Sequence, residues 1–209
     1  MKKNLAVLVF SVYALSASAQ PKPVLHPALS KTIDSLAFVD QWPMQQMFHQ
    51  KADSAGRNLV DVEKTNFARH QPILEKIIKQ YGYPGFKQVG EKSADNFCLL
   101  VQHADAHLDF QRQILKLMLP EVKKKNASPV KYAYLIDRVA INSGQAEEYG
   151  TQLVYKGKDM SITAVPVSLR DPKNVDKRRA AIGMEPLQDY LNMMTEVTRQ
   201  MNKPKPQIP

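Results

Sequence analysis

The chain has one cysteine among its 209 residues, so no disulfide can close within it. That thiol, Cys98, sits in the apolar run Phe97-Cys98-Leu99-Leu100-Val101. An apolar setting raises a thiol's pKa and blunts it as a nucleophile. Stability must then come from a core, and a chain this long can bury most of its apolar side chains without staples. Other signatures are missing too. There is no nucleophile elbow, no glycine-rich phosphate loop, no CxxC pair and no EF-hand calcium loop. Aromatics make up 8% of the chain and do not interleave with a basic stripe, so no nucleic-acid partner is expected. Past the N-terminal segment, no run is apolar enough to span a bilayer, which takes about 20 residues. No internal repeat interrupts the chain.

What is present at the N-terminus is an export pattern. Lys2 and Lys3 give a positive start, Leu5 to Leu15 is apolar and uncharged, and Ala17-Ser18-Ala19 offers small residues for cleavage. These features predict a signal peptide over 1–19, a mature chain from Gln20, and a periplasmic or extracellular location. No cysteine follows the cleavage site to take a lipid. Residues 20–29 are proline-rich and expected to be extended. Residues 30–202 then form a single helical domain, and 203–209 a Pro/Lys tail. The net charge is +9, of which Lys2 and Lys3 contribute two. A basic balance favours anionic envelope surfaces. The one dense run, Lys123-Lys124-Lys125, follows Pro120, where cations complement a helix dipole.

The pattern predicts a mainly α domain, a compact set of helices with a small β-hairpin late in the chain. Ser30 is placed to cap a first helix through about His49, with Pro43 bending or restarting it. A second helical region covers Leu59 to Tyr81, divided by Pro72 and stopped by Gly82. Ser93 is placed to cap a third helix, Ala94 to about Ala104, whose nearly continuous apolar run makes it the central one. A fourth runs from about Ala106 to Glu121. Ser128 and Pro129 are a strong start signal for a fifth, ending near Asn142. Leu153 to Tyr155 and Ile162 to Val167 are strand formers around the turn at Lys156-Gly157-Lys158-Asp159. Asp176 is placed to cap a short helix, and Pro186 opens a last one to about Met201.

Chemistry concentrates at Gln102-His103-Ala104-Asp105-Ala106-His107. On a continuous helix His103 and His107 would share a face, as zinc-binding histidines do. The zincin pattern wants glutamate directly after the first histidine, and Ala104 stands there. No metal ligand set or cofactor is therefore assigned, although zinc is the ion such a pair would take. His103 can instead act as an acid or base oriented by Asp105 or Asp137, or it can simply tie down a helix end. Arg138, amid apolar neighbours, needs a partner. It is either half of a structural ion pair or an anion clamp. Tyr149 and Gln152 flank Gly150 and can hydrogen-bond either a ligand or buried backbone. Arg178 and Arg179 point to different helix faces, and one of them can turn inward.

In order along the chain, Tyr81-Gly82-Tyr83-Pro84, Val89-Gly90, Val101-Gln102-His103-Ala104-Asp105, Asp137-Arg138-Val139, Tyr149-Gly150-Thr151-Gln152, Asp171-Pro172, Val175-Asp176-Lys177-Arg178-Arg179 and Ile182-Gly183-Met184-Glu185-Pro186-Leu187 resemble a bacterial family, the domain of unknown function 6624. The resemblance covers roughly Asp40 to Leu191. It implies no activity. It marks Gln102, His103, Asp105, Asp137, Arg138, Tyr149, Gly150, Gln152 and Arg178 or Arg179 as motif positions. Members follow an Asp-Gln pair near the first helix with an arginine, whereas Asp40-Gln41 here leads into Trp42-Pro43-Met44. His107 lies outside the motif.

The expected site is thus one polar pocket at the end of the third helix, with His103, Asp105 and Asp137 as catalytic candidates. Gln102, Arg138, Tyr149, Gln152, Arg178 and Arg179 are the ligand-binding candidates. The expected function is to bind a small ligand or an envelope component. The alternative is a small hydrolase with His103 as acid or base and Arg138 holding an anionic substrate.

Overall fold

The computed structural model describes residues 23–49, 51–158 and 161–202. The expected signal peptide (1–19), the start of the mature chain at Gln20 and the 203–209 tail lie outside the described residues. Eight α-helices and one two-stranded antiparallel sheet are present among those described. The mainly helical expectation and the late hairpin both hold.

Helix α1 spans Pro27–Phe48 and begins earlier than Ser30. Pro27 fits the first turn because its missing N–H has no intrahelical partner there. Ser30 lies inside the helix, and its hydroxyl donates to the Val89 carbonyl at 2.8 Å. The helix continues through Pro43. A proline leaves the carbonyl four residues back without its helical donor, and that carbonyl belongs to Val39. Asn66 of the next helix supplies the missing bond, its Nδ2 donating to Val39 O at 2.9 Å.

Helix α2 spans Leu59–Tyr81, capped by the Asn58 side chain, and runs unbroken through Pro72. A short helix α3, Phe86–Val89, was not anticipated. Helix α4 spans Glu91–Gln102, starting at Gly90 rather than Ser93. Ser93 binds sideways instead: its hydroxyl and Asn96 Nδ2 both donate to Asp34 Oδ1, at 2.9 and 2.8 Å, fastening α4 to α1. Helices α5 (Leu108–Lys123) and α6 (Pro129–Asn142) follow, and the Ser128 hydroxyl caps α6 as expected.

Strands β1 (Leu153–Lys156) and β2 (Thr163–Pro166) pair with Tyr155 opposite Ala164. A 3-10 turn at Pro172–Asn174 leads into α7 (Val175–Ala180), and α8 (Leu187–Met201) ends the fold. Asp176 does not cap α7. Its carboxylate accepts the Leu187 N–H at 2.7 Å and so starts α8.

Helix α4 is the central helix, packed against α1, α2, α3, α5 and α6. The main core joins Ile33 of α1, Leu74 of α2, Phe97, Cys98 and Val101 of α4, Ile114 and Met118 of α5, and Leu135 of α6. A smaller core joins Ala164 of β2 to Tyr190 and Leu191 of α8. No helix of the described residues is long and apolar enough to cross a membrane.

Candidate functional site

Helix α4 ends at Gln102, and α5 begins at Leu108. His103 and His107 therefore cap two different helices and do not share the continuous helical face that zinc pairing requires. Among the described residues, no group of three or more His, Cys, Asp or Glu is placed to hold a metal.

His103 turns towards α1. Its Nδ1 lies 2.7 Å from Oδ2 of Asp40. Asp40 is 1% exposed, and its hydrogen bonds gather on one oxygen, Oδ2. Gln41 Nε2 donates to the same oxygen at 2.8 Å. His70 of α2 puts its Nδ1 3.4 Å from Oδ1, close but short of hydrogen-bond geometry, and neither of those atoms has another partner. Burial pushes the Asp40 carboxyl up, but the hydrogen bond from His103, the approach of His70, the charge His103 can carry and the Gln41 bond outweigh it and hold the group at about 2. Asp40 is thus ionised at neutral pH, and an ionised carboxylate can only accept. His103 must place a proton on Nδ1. In the neutral ring this leaves the Nε2 lone pair free. No residue among those described bonds Nε2, and the His103 side chain is 21% exposed. Phe67 of α2 packs on the other side of the ring, centroids 4.5 Å apart and planes tilted by 32°, which fixes the ring's orientation.

Three helices hold this dyad. Pro43 frees the Val39 carbonyl, Asn66 takes it, and the bond pins α1 to α2 next to Asp40. The end of α4 delivers His103 to the same place.

Asp105, only two residues after His103, turns the other way. Arg138 of α6 grips it through Nε, at 2.9 Å, and through Nη2. Asn142 and Gln111 add bonds at 2.8 and 3.4 Å. Burial pushes Asp105 up, but the Arg138 guanidinium beside it brings it below its ordinary value. Arg138 Nη1 reaches Gln152 Oε1 at 3.0 Å. Asp105, Arg138 and Gln152 therefore meet as expected, but without His103. The single expected pocket divides into two clusters on either side of the turn after α4.

The remaining candidates hold the chain together. The buried Asp137 carboxylate accepts the N–H groups of Glu148, Tyr149 and Thr151 and the Thr151 hydroxyl, at 2.7 to 3.2 Å. Gly150 makes that loop possible. Its φ is 70°, and a Cβ there would meet Leu187 at 2.9 Å. Tyr149 serves through its backbone, giving its carbonyl to Arg179 Nη1 at 2.8 Å. Arg179 is fully buried, also bonds the Glu185 carbonyl, and lies over the Tyr190 ring. Arg178 binds the carbonyls of Glu148, Arg170 and Asp171. Gln102 is buried, and its carbonyl accepts from Gln111.

Sequence reasoning missed Asp40, Glu63, Phe67 and His70. Only Asp40 carried a signal, as part of the Asp-Gln pair of the resembling family.

The fold and these contacts define an α-helical domain with a buried carboxylate–imidazole dyad and a late hairpin fastened by buried charges. The chain belongs to the family of unknown function DUF6624, which matches residues 27–201. No curated protein and no solved structure matches it.

Proposed function

We propose that this is an exported hydrolase in which His103 is the general base and Asp40 its orienting partner. One observation carries the reading. The imidazole is held by its Nδ1 on an ionised, buried carboxylate, while no described residue bonds its Nε2 and the side chain is part-exposed. A histidine that only ties down structure has no need of a nitrogen left unbonded. A base needs one nitrogen held and the other free to take a proton from water. Asp40 fills the orienting role that the sequence offered to Asp105 or Asp137. Arg138 is not needed as an anion clamp, since Asp105 already matches its charge.

The envelope-binding reading rests on the second cluster. A guanidinium has five N–H donors, and three of Arg138's are used within the protein. The other two are available to an acceptor on a ligand.

The ring state can be tested without a known substrate. Nitrogen-15 NMR of the imidazoles should find the proton of the neutral form of the His103 ring on Nδ1, and diethyl pyrocarbonate should acylate the ring. A proton on Nε2, or a ring inert to the reagent in the folded protein, would remove the base. On a panel of esters, amides and glycosides, any activity found should fall about 10²- to 10⁴-fold in His103→Ala, the usual worth of a positioned base.

A further inference from the structure

The face of α2 that supplies Phe67 and His70 carries one more group. Glu63 precedes them at the spacing i, i+4, i+7, which lines up side chains on one helical face. Phe67 stacks on the His103 ring and His70 faces Asp40. Glu63 is therefore one turn along α2 from the side chain that stacks on the His103 ring. It is half-buried, and no hydrogen bond or ion pair engages its carboxyl among the described residues. Partial burial without a protein partner disfavours the charged form of such a carboxyl.

Resting on the reading of His103 as base, we propose that Glu63 is the general acid of the same site, and that the substrate is a bond with a strongly basic leaving group, an alkoxide or an amine. His103 Nε2 takes a proton from water as the water oxygen bonds to the reacting carbon. The bond from that carbon to the leaving oxygen or nitrogen then breaks, and the leaving atom takes the Glu63 proton. Water is consumed, no electrons are exchanged, and the imidazolium passes its proton back to Glu63 directly or through solvent. A base and an acid kept in different environments divide the work in this way.

The electrostatics agree. Burial raises the Glu63 carboxyl above its ordinary value; His103 pulls it down, and the negative charge of Asp40 pushes it up. The charged groups that act on it are Asp40 from α1 and His103 from the end of α4.

The test uses the chain from Gln20 onward, its Glu63 carboxyl followed by carbon-13 NMR across pH. His103→Ala should move the Glu63 midpoint up and Asp40→Asn should move it down. If neither variant moves the midpoint, Glu63 is not in the site and the proposal fails. The catalytic arm compares ethyl and p-nitrophenyl esters of one acid. Glu63→Gln should slow the ethyl ester about 10²-fold and the nitrophenyl ester less than tenfold, because nitrophenolate leaves with little help. Equal losses on both esters would make Glu63 structural and overturn the acid. A failure of the base reading is distinguishable, since it shows as an Nε2–H tautomer of His103 in the unsubstituted protein.

Discussion

A carboxylate closed off from water costs several kcal/mol unless its oxygens are bonded, and Asp40 recovers part of that cost through the His103 and Gln41 bonds to Oδ2, while Oδ1 has only the approach of His70. The consequence is a definite pH sign. The folded value of about 2 lies below the ordinary 3.8. The stabilisation is therefore complete above pH 3.8 and is lost as the pH falls through 2. The shift corresponds to about 2 kcal/mol. Asp40→Asn should flatten the acid limb of a urea-monitored stability profile in this window. It should also let the ring of His103 move its proton to Nε2, which nitrogen-15 shifts would report, and any hydrolysis should fall with it. An unchanged tautomer in Asp40→Asn would mean that Asp40 does not orient the ring. Why the sequence showed His103 and not its neighbours on α2 follows from the same geometry. His103 stands in a short polar break after an apolar helix, where an imidazole is conspicuous. Glu63, Phe67 and His70 occupy ordinary positions of an amphipathic helix. Nothing local distinguishes them until α1, α2 and α4 pack.

Among the elements, prolines were the hardest feature to read. Pro72 and Pro43 each suggested a break, and both helices run through. At Pro43 the reason is visible, since α2 repairs the lost bond from outside through Asn66. Local propensity could not report a donor from another helix. Ser128 with Pro129 and the hairpin were legible because their signals are local. Ser30, Ser93 and Asp176 were read as caps and instead make tertiary contacts, since a short polar side chain satisfies a distant group as well as a near one. The Asn66 bridge makes a double-mutant prediction. Asn66→Ala takes away the donor to the Val39 carbonyl and should cost roughly 0.5–1.5 kcal/mol. Pro43→Ala returns an N–H to the Val39 carbonyl, so the same Asn66→Ala change should cost clearly less in that background. Equal costs in the two backgrounds, measured by chemical denaturation, would show that the bridge does not replace the proline's missing bond.

For the molecule as a whole, the joint between helical body and hairpin is built from buried charge. Asp137 of α6 holds residues 148–151. Arg179 of α7 takes the Tyr149 carbonyl. Fully buried Glu147 binds the N–H of Gln152 at 2.8 Å before β1 and of Val167 at 2.9 Å after β2. The two carboxyls of this joint titrate in the opposite sense to Asp40. Burial pushes Glu147 up to about 7 against the pull of its backbone donors, with Asp137's charge adding to the rise, and burial raises Asp137 too. A raised folded value gives stability that is fully present below the ordinary value of 4.5 and is lost as the pH rises through 7. The Glu147 shift amounts to at most about 3 kcal/mol. The joint should therefore loosen between pH 4.5 and 7, in a window where the bonds of Asp40 remain intact. Hydrogen exchange, corrected for intrinsic rates, should show the amides of Gln152 and Val167 losing protection across this range while those of α4 keep theirs. Glu147→Gln should reduce the dependence at the price of one backbone bond, leaving what Asp137 contributes. If both sets of amides changed together, the protein would open as one unit, and the charged joint would not be its weaker part at neutral pH.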